Sequence, residues 1–352
     1  MIKVGRYMFM RDLPTKEQQE ACSWLVLPGD AVQRLKDVPK GLVRLWLTSP
    51  PYYQQVDYGA DGQYGQESDL DAYIANMVSV VNVARFCSTP DANLIWVVKD
   101  SYNGSGGAGG DFSENGRMRM KQRGAQLKDW PKKAQLLVPE KTRIAFAKVG
   151  WHPVLDIVWD KQDPRRGAKD RPSYAHEHVL IFSASPNHYW DREAVLQEYS
   201  AASRMQLTQE YGGIGQDDYA STGQEDPSDA KRRMVESMKK RPGALLRSVL
   251  QIPSVRQPTI EVDGKKLRAI AAFPQLLAEI FVNLASAPGD VVGDPFAGFG
   301  TTLVAAHKWG RHAFGVEINL DFVKAIEKRM LLEFGCEQWP ENNSEKVANF
   351  LD

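Results

Sequence analysis

The sequence predicts an α/β protein in which one open, mostly parallel sheet is covered by helices. Short apolar runs of strand length, such as residues 42–47, end in turn residues. The segments between them place apolar residues on one face at helical spacing, as residues 73–84 do. Residues 290–302 then give a strand, a tight glycine turn and a helix start, an arrangement typical of nucleotide-binding sheets.

Length and composition are those of a globular protein. The 352 residues are enough for one large core and a second, smaller domain. The 44 acidic and 44 basic residues cancel, so a nucleic-acid surface would require local segregation of charge. No apolar run is long enough to cross a bilayer and the first residues lack a signal peptide's apolar core, so we expect a cytoplasmic protein. Cys22, Cys87 and Cys336 are far apart and odd in number, which indicates reduced, buried thiols.

The first predicted strand covers residues 23–27 and leads into an amphipathic helix through Pro-Gly-Asp. Asp30 stands where it can cap that helix. In a nucleotide-binding sheet an acid at this position can also accept a hydrogen bond from an adenine amine, and we favour this second role.

A proline turn ends the next strand. Residues 48–53 read Thr-Ser-Pro-Pro-Tyr-Tyr, and the two prolines stop the strand and fix an extended backbone. The turn stands at the carboxyl end of its strand, where open α/β sheets carry their chemistry. The Ser49 hydroxyl and the Pro50 carbonyl can both accept hydrogen bonds beside an aromatic ring, which suits a planar amine. The alternative is a turn that only ends a strand.

The middle of the chain changes in composition. A predicted strand at residues 93–98 is followed by residues 103–133, in which a glycine-rich stretch precedes closely spaced lysines and arginines. A solvated basic face explains such a run, and so does a flexible loop that closes over a polyanion.

A regular pattern resumes at Trp130, which predicts a helix to about residue 148 and strands at residues 154–159 and 177–182. His176 and His178 share one side of the last strand. Without a third ligand nearby in the sequence they are expected to be ordinary polar residues, and no metal site is predicted.

Residues 190–268 lose the alternating α/β pattern. They contain glycine-rich and acidic stretches and then a basic block at residues 231–247. A surface loop without a role is the alternative to a functional insertion, but the span is long for such a loop.

The glycine turn near the carboxyl end of the chain suits a nucleotide. Gly298 and Gly300 permit a tight turn and a close ligand approach, and Thr301 and Thr302 are expected to cap the following helix. A dinucleotide fingerprint requires a third glycine where Leu303 stands, and a phosphate-binding P-loop requires Gly-Lys-Ser/Thr, which is absent. S-adenosylmethionine remains, because it needs only a site for its carboxylate at the helix start and an acid for its ribose hydroxyls.

The next predicted strand supplies that acid. Residues 313–317 end in Glu317, after which Asn319 can cap a helix. The apolar face of that helix consists of Phe322, Val323, Ile326 and Met330.

Together these segments resemble the motifs of the DNA amino-methyltransferases, which methylate the exocyclic amine of cytosine or adenine. Residues 49–52 match motif IV, (Ser/Asp/Asn)-Pro-Pro-(Tyr/Phe), and residues 294–302 closely match motif I. Glu317 stands at motif II, residues 273–274 lie in motif X, and residues 29–31 resemble motif III. With motif IV before motif I, the chain resembles the β group of this family over nearly its whole length.

The resemblance implies a fold and a domain division. The implied fold is a circularly permuted, Rossmann-like, S-adenosylmethionine-dependent methyltransferase fold with an inserted target-recognition region. Right-handed crossovers build the same sheet after such a permutation. Residues 1–189 and 269–352 would form the catalytic and cofactor-binding domain, with residues 103–133 as a flexible basic loop, and residues 190–268 would form the recognition region.

The resemblance also implies roles for individual residues. The implied catalytic residues are Ser49, Pro50, Pro51 and Tyr52. The implied cofactor-binding residues are Asp30, Ala31, Phe273, Pro274, Asp294, Phe296, Gly298, Gly300, Thr301, Thr302, Glu317 and Ile318. The implied DNA-binding residues are Tyr53, Arg117, Arg119, Lys121, Arg123 and Arg171. Phe299 departs from the family pattern, which usually has a small residue there, and the histidine that often precedes the motif X alanine is missing, so we expect an atypical cofactor affinity.

The implied reaction transfers a methyl group from S-adenosylmethionine to the amine of a base flipped out of duplex DNA. Ser49 and the Pro50 carbonyl would accept both N–H bonds, and Tyr52 would stack on the base. Serine at the first motif IV position resembles the cytosine-N4 enzymes, so we expect cytosine, with adenine-N6 as the alternative. A methyltransferase of RNA or of a protein amide, or a catalytically silent DNA-binding module, is a further alternative. The family also suggests a prokaryotic or phage origin, a homodimer and a cognate restriction endonuclease.

Overall fold

The computed structural model describes residues 1–104, 127–162, 170–208, 227–255 and 258–336. Within the chain, two compact units are formed by residues 1–12 with 192–246, and by residues 13–191 with 247–352. In chain order the described strands are β1 Ile2–Val4, β2 Tyr7–Phe9, β3 Trp24–Pro28, β4 Val43–Thr48, β5 Ser88–Val98, β6 His152–Asp160, β7 His176–Ser183, β8 Val195–Gln197, β9 Ala244–Leu245, β10 Val249–Gln251, β11 Thr259–Val262, β12 Lys265–Arg268, β13 Val291–Asp294 and β14 His312–Glu317. The described helices are α1 Lys16–Glu20, α2 Ala31–Leu35, α3 Leu70–Cys87, α4 Val138–Lys148, α5 Ala201–Thr208, α6 Pro227–Lys239, α7 Gln275–Ala285, α8 Thr301–Lys308 and α9 Leu320–Phe334.

The larger unit is built on one sheet with the strand order β10-β6-β7-β5-β4-β13-β14-β3. All neighbouring strands are parallel except at β7, which runs antiparallel to β5 and β6. Strands β13 and β14, from late in the chain, lie between β3 and β4, which follow each other in sequence. This is the strand order of a permuted, doubly wound sheet, so the predicted α/β fold class is confirmed.

Burial on both faces explains the apolar strands. The side chains of β4 from Leu45 to Thr48 and those of β5 from Ala92 to Val98 are buried. Such strands need apolar residues at successive positions rather than alternating ones. On one side of the sheet, the rings of Trp46 and Trp96 pack with α2, α3 and α4 in a single core cluster. These buried side chains fix the positions of both strands. The polar residues begin at the carboxyl ends of the strands.

The predicted helix from Trp130 is wrong in its start, since α4 begins only at Val138. Lys133 and Leu137 have positive φ angles of 64° and 60°, which no right-handed helix accommodates. Pro139 lies in the first helical turn, where N–H groups have no intrahelical acceptor, so its lack of an N–H costs no hydrogen bond.

The predicted recognition region, residues 190–268, is divided between the two units. Residues 192–246 belong to the smaller unit, where β1, β2, β8 and β9 form a four-stranded antiparallel sheet. In the larger unit β10 extends the central sheet, and the β11–β12 hairpin packs on α9. The recognition role of this region stays a prediction. None of the helices in the described part of the chain is long and apolar enough to cross a membrane.

Candidate active site

One cavity of the larger unit joins the two sequence constellations. It encloses about 910 Å³, a volume that includes its open mouth. Ser49, Pro51 and Tyr52 of the proline turn line it, and so do Phe296 and Gly298 of the glycine turn. Pro50, the fourth predicted catalytic residue, is buried and is not part of the lining. Because β4 and β13 are parallel neighbours, their carboxyl ends place both turns at the same edge of the sheet.

Two side-chain hydrogen bonds fasten these turns together. Thr48 Oγ1, at the end of β4, donates to Asp294 Oδ1 over 2.5 Å although the two residues are 246 positions apart in sequence. Thr302 Oγ1 donates to the Leu47 carbonyl over 3.0 Å. All three hydroxyl and carboxyl groups are buried, so neither bond competes with water.

The glycine turn is built on left-handed backbone. Gly298 has φ 56°, and its N–H donates to Glu317 Oε2 over 2.8 Å. Gly300 has φ 72° and is the N-cap residue of α8, where an added Cβ would stand 3.2 Å from Ile326. The prediction that Thr301 and Thr302 cap this helix is wrong, because α8 has no side-chain cap and the two threonines are its first residues. The uncapped N–H groups of the first turn remain available to a ligand.

Burial raises the pKa of two carboxyl groups in the cavity above their usual range. Burial raises the pKa of Asp294 to about 6, against the opposing effect of its bond from Thr48. Burial also raises the pKa of Glu317 to about 7, and the nearby charge of Asp294 adds to the shift. No cationic side chain lines the cavity among the described residues. The surroundings of this cavity are therefore neutral to negative and suit a positively charged ligand.

On the proline-turn side, Ser49 belongs to a chain of hydrogen bonds. Its Oγ donates to the Tyr52 hydroxyl over 3.1 Å, and that hydroxyl donates to Glu177 Oε2 over 2.8 Å. Glu177 Oε1 in turn accepts from Lys161 Nζ over 2.5 Å. Burial, and next the charge of Glu177, raise the pKa of Tyr52 well above its usual range, so Tyr52 keeps its proton.

A family model described as DNA methylase matches residues 43–328, most of the chain. The chain belongs to the DNA methylase family. Among its relatives, the Type II methyltransferase M.Cfr9I of Citrobacter freundii is 28% identical over 305 residues, which cover 86% of each chain. The Type II methyltransferase M.SmaI of Serratia marcescens is 26% identical and covers 90% of this chain and 95% of its own.

Solved structures share the fold of this methylase. PvuII DNA methyltransferase (cytosine-N4-specific) matches with a TM-score of 0.56 at 18% identity, covering 94% of this chain and 91% of its own. A putative DNA modification methylase of Thermus thermophilus, complexed with S-adenosyl-L-methionine, matches with a TM-score of 0.55 at 22% identity, covering 89% and 96%. The predicted S-adenosylmethionine-dependent DNA methyltransferase fold is confirmed.

S-adenosylmethionine is the methyl donor of this family and the cofactor of this methylase. The cavity fits it in two respects: its walls are neutral to negative, and the open first turn of α8 can receive a carboxylate. Of the predicted cofactor-binding residues, the cavity lining includes Asp30, Ala31, Phe273, Asp294, Phe296, Gly298, Thr301, Glu317 and Ile318. Pro274, Gly300 and Thr302 lie behind that lining, where they shape helix starts or bond to β4.

Asp30 has the capping role that was the first of its two interpretations. Its Oδ1 accepts from the Gln33 N–H over 3.0 Å at the start of α2. Its Oδ2 accepts from the Tyr64 hydroxyl over 2.6 Å, and both residues line the cavity. A contact between Asp30 and an adenine amine stays a prediction.

Several lining residues were not predicted. Tyr58, Gln63 and Tyr64 come from the loop after the proline turn, and Asn319 Nδ2 donates to the Tyr58 carbonyl over 3.0 Å. Nothing in their sequence distinguishes them from an ordinary loop. Glu177 and Lys161 were missed as well, although a glutamate inside the apolar strand β7 is a signal that it must have a buried partner.

The predicted DNA-binding residues have different surroundings. Tyr53 is 2% exposed and packs against Tyr73 in the core, 5.4 Å between ring centroids, so its ring has no face open to a base. The Arg171 guanidinium lies 3.9 Å from the centroid of the Tyr102 ring. Arg117, Arg119, Lys121 and Arg123 lie outside the described residues, as does most of the predicted basic loop.

The two strand histidines lie on one side of β7, as expected, with ring centroids 5.2 Å apart. His178 Nδ1 lies 3.1 Å from Asp156 Oδ2. In the described parts of the chain, no group of three or more metal-ligating side chains is close enough to hold an ion.

Proposed function

We propose that this methylase transfers a methyl group from S-adenosylmethionine to the exocyclic N4 amine of a cytosine flipped out of duplex DNA. One observation carries the proposal: Ser49 and Tyr52 of the proline turn line the same cavity as Gly298 and Glu317 of the cofactor turn. A base amine held by the first pair therefore lies within reach of a cofactor held by the second.

The residues of the proline turn can make the base amine a better nucleophile. An exocyclic amine is a poor nucleophile because its lone pair is delocalised into the ring. Ser49 Oγ and the Pro50 carbonyl can accept its two N–H bonds, which turns the nitrogen towards tetrahedral geometry and frees the lone pair. These bonds strengthen as positive charge develops on the nitrogen, so they stabilise the transition state more than the ground state. Bound S-adenosylmethionine supplies the electrophilic methyl group.

The proline turn also explains the need for base flipping. The target amine takes part in Watson–Crick pairing, and Ser49 lies half-buried at the end of a strand, out of reach of a stacked base. Tyr52 is only 4% exposed, but it lines the cavity and its hydroxyl is bonded to Glu177, so the Tyr52 side chain forms part of the wall that a flipped base would meet. Stacking on an aromatic ring contributes about 1–3 kcal/mol per base, enough to offset part of the unpairing cost.

Cytosine is favoured by Ser49 at the first motif position, and the PvuII enzyme with the same fold is cytosine-N4-specific. Adenine-N6 is the alternative. The test is to incubate unmethylated genomic DNA with the purified chain and S-adenosylmethionine, digest it to nucleosides and identify the product by mass spectrometry. We expect N4-methylcytosine; N6-methyladenine alone would overturn the choice of base, and neither product would overturn the proposal.

The partners follow from the same proposal. Relatives of this methylase are Type II methyltransferases, so we expect duplex DNA with a defined recognition sequence, a cognate restriction endonuclease and a cytoplasmic location. Sequencing that detects modified bases, applied to DNA from cells expressing the chain, gives the recognition sequence directly. Sedimentation of the purified chain tests the homodimer.

A further inference from the structure

The hydrogen-bond chain that ends at Ser49 starts from two residues of the β6–β7 hairpin. Glu177 is the second residue of β7 and Lys161 directly follows β6. Their side chains are only 4% and 15% exposed, and the ammonium also lies 4.8 Å from the centroid of the Trp159 ring. A buried Lys161–Glu177 pair therefore gives the chain of hydrogen bonds a fixed starting point.

Glu177 determines which atoms donate and which accept along this chain of hydrogen bonds. An ionised carboxylate can only accept hydrogen bonds, so the single hydrogen of the Tyr52 hydroxyl is committed to Glu177. The Tyr52 oxygen can then only accept from Ser49, which commits the Ser49 hydrogen as well. What Ser49 presents to the cavity is therefore its acceptor lone pairs.

We propose that Glu177, supported by Lys161, is a positioning residue that sets the hydrogen-bond direction of Ser49, so that Ser49 can accept from the target amine but cannot donate to it. The inference rests on the proposed function. A serine hydroxyl free to rotate could donate its hydrogen to the amine nitrogen and occupy the lone pair that must form the new bond. The Lys161–Glu177 pair removes that unproductive state before the base arrives.

Glu177→Gln should reverse the direction rather than merely weaken it. A glutamine amide has one end that accepts and one that donates. Lys161 can only donate, so the amide oxygen would turn towards Lys161 and the amide NH₂ towards Tyr52. Tyr52 would then accept from Gln and donate to Ser49, and Ser49 would be left to donate into the cavity. In the double variant Glu177→Gln/Lys161→Met nothing holds the amide oxygen away from Tyr52, so the original direction becomes available again.

The test measures methyl transfer to unmethylated genomic DNA under steady state for the wild type, E177Q, K161M and the E177Q/K161M double variant. We expect E177Q to lower kcat roughly 30-fold or more, as the loss of a transition-state hydrogen bond does, while KM for DNA stays within about threefold. The double variant should recover at least about tenfold of that loss. Calorimetric binding of S-adenosylhomocysteine should give the same Kd for all four proteins, which shows that each is folded around its cofactor site.

A purely structural role for Glu177 predicts the opposite order, because removing Lys161 as well would damage the hairpin further. A double variant no faster than E177Q therefore overturns the inference, and so does a wild-type kcat for E177Q in a preparation where Ser49→Ala is inactive. If E177Q fails to fold, Tyr52→Phe replaces it: this variant keeps the ring and frees the Ser49 hydroxyl, and an unchanged kcat would equally overturn the inference. Wild-type protein that transfers no methyl group to DNA would instead refute the proposed function itself.

Discussion

The proline turn and the glycine turn lie side by side at one sheet edge but are held in place by different means. Residues 48–53 are stiffened covalently by two prolines, and their polar groups are aimed by partners far away in sequence, such as Glu177 on β7. Residues 294–302 depend on left-handed glycines, and besides the two bonds to β4 they are held by the next strand, as the bond between Gly298 and Glu317 shows. The proposed function requires directional partners for the proline turn, which would hold the reacting amine, and open backbone for the glycine turn, which would receive the cofactor.

Ser49→Ala should have the largest effect, because in the proposed function Ser49 is the side-chain acceptor for the reacting amine. We expect kcat to fall by about 10²–10³-fold with the Kd for S-adenosylhomocysteine unchanged. The matched control is Ser79→Ala, on the exposed face of α3, which should leave kcat as it is. A parallel loss of cofactor affinity in Ser49→Ala would mean that the two turns do not divide the work as described.

Gly300→Ala probes the glycine turn. Left-handed backbone costs a side-chain-bearing residue about 1–2 kcal/mol, and here the new Cβ also meets Ile326 at 3.2 Å. We expect a lower thermal midpoint and weaker cofactor binding. Gly335→Ala is the control, since Gly335 has a similar φ of 69° at the end of α9 and its added Cβ meets no described atom within 4 Å. Equal losses in both variants would show that the contact with Ile326 contributes nothing.

Glu317→Gln should flatten two pH dependences of opposite sign. Burial raises the pKa of Glu317 from 4.5 to about 7, so its stabilisation of the unliganded fold is fully present below about pH 4.5 and is lost as pH rises through about 7. Cofactor affinity should instead rise with pH through about 7, because the ionised carboxylate accepts from ribose hydroxyls better than the acid does. Calorimetry and thermal unfolding between pH 5 and about 8.5 measure both slopes. If Glu317→Gln keeps the wild-type dependence of cofactor affinity on pH, another group must titrate, and Asp294 is the first candidate.

Tyr53→Phe should have the smallest effect. It tests whether Tyr53, unlike its neighbour Tyr52, has no role in the site. The Tyr53 hydroxyl is buried without a hydrogen-bond partner among the described residues, so its removal should leave stability unchanged or raise it by up to about 1 kcal/mol. KM for DNA should not change. A clear rise in KM would restore Tyr53 as a DNA contact and contradict its place in the core.

The sequence was informative about each turn because the required residues are adjacent. Prolines after an apolar strand and glycines before a helix constrain the backbone where they stand, so the turns can be predicted from a few adjacent residues. The apolar face of α9 was predicted correctly from its spacing. Glu177 and Lys161 could not be assigned to Ser49 in the same way, since the bond from Tyr52 to Glu177 spans 125 positions and depends on strand order. The start of α4 was missed because apolar spacing carries no information on the positive φ of Leu137.

The placement of β14 beside β3 has a consequence for synthesis on the ribosome. Trp24 of β3 pairs with Ala313 of β14, and β14 is the only neighbour of β3 in the described sheet. At roughly 5–20 residues per second, β3 waits about 15–60 s after its own translation before this neighbour emerges. Throughout that interval an apolar strand lacks its pairing partner, and an unpaired apolar strand exposes the nascent chain to aggregation.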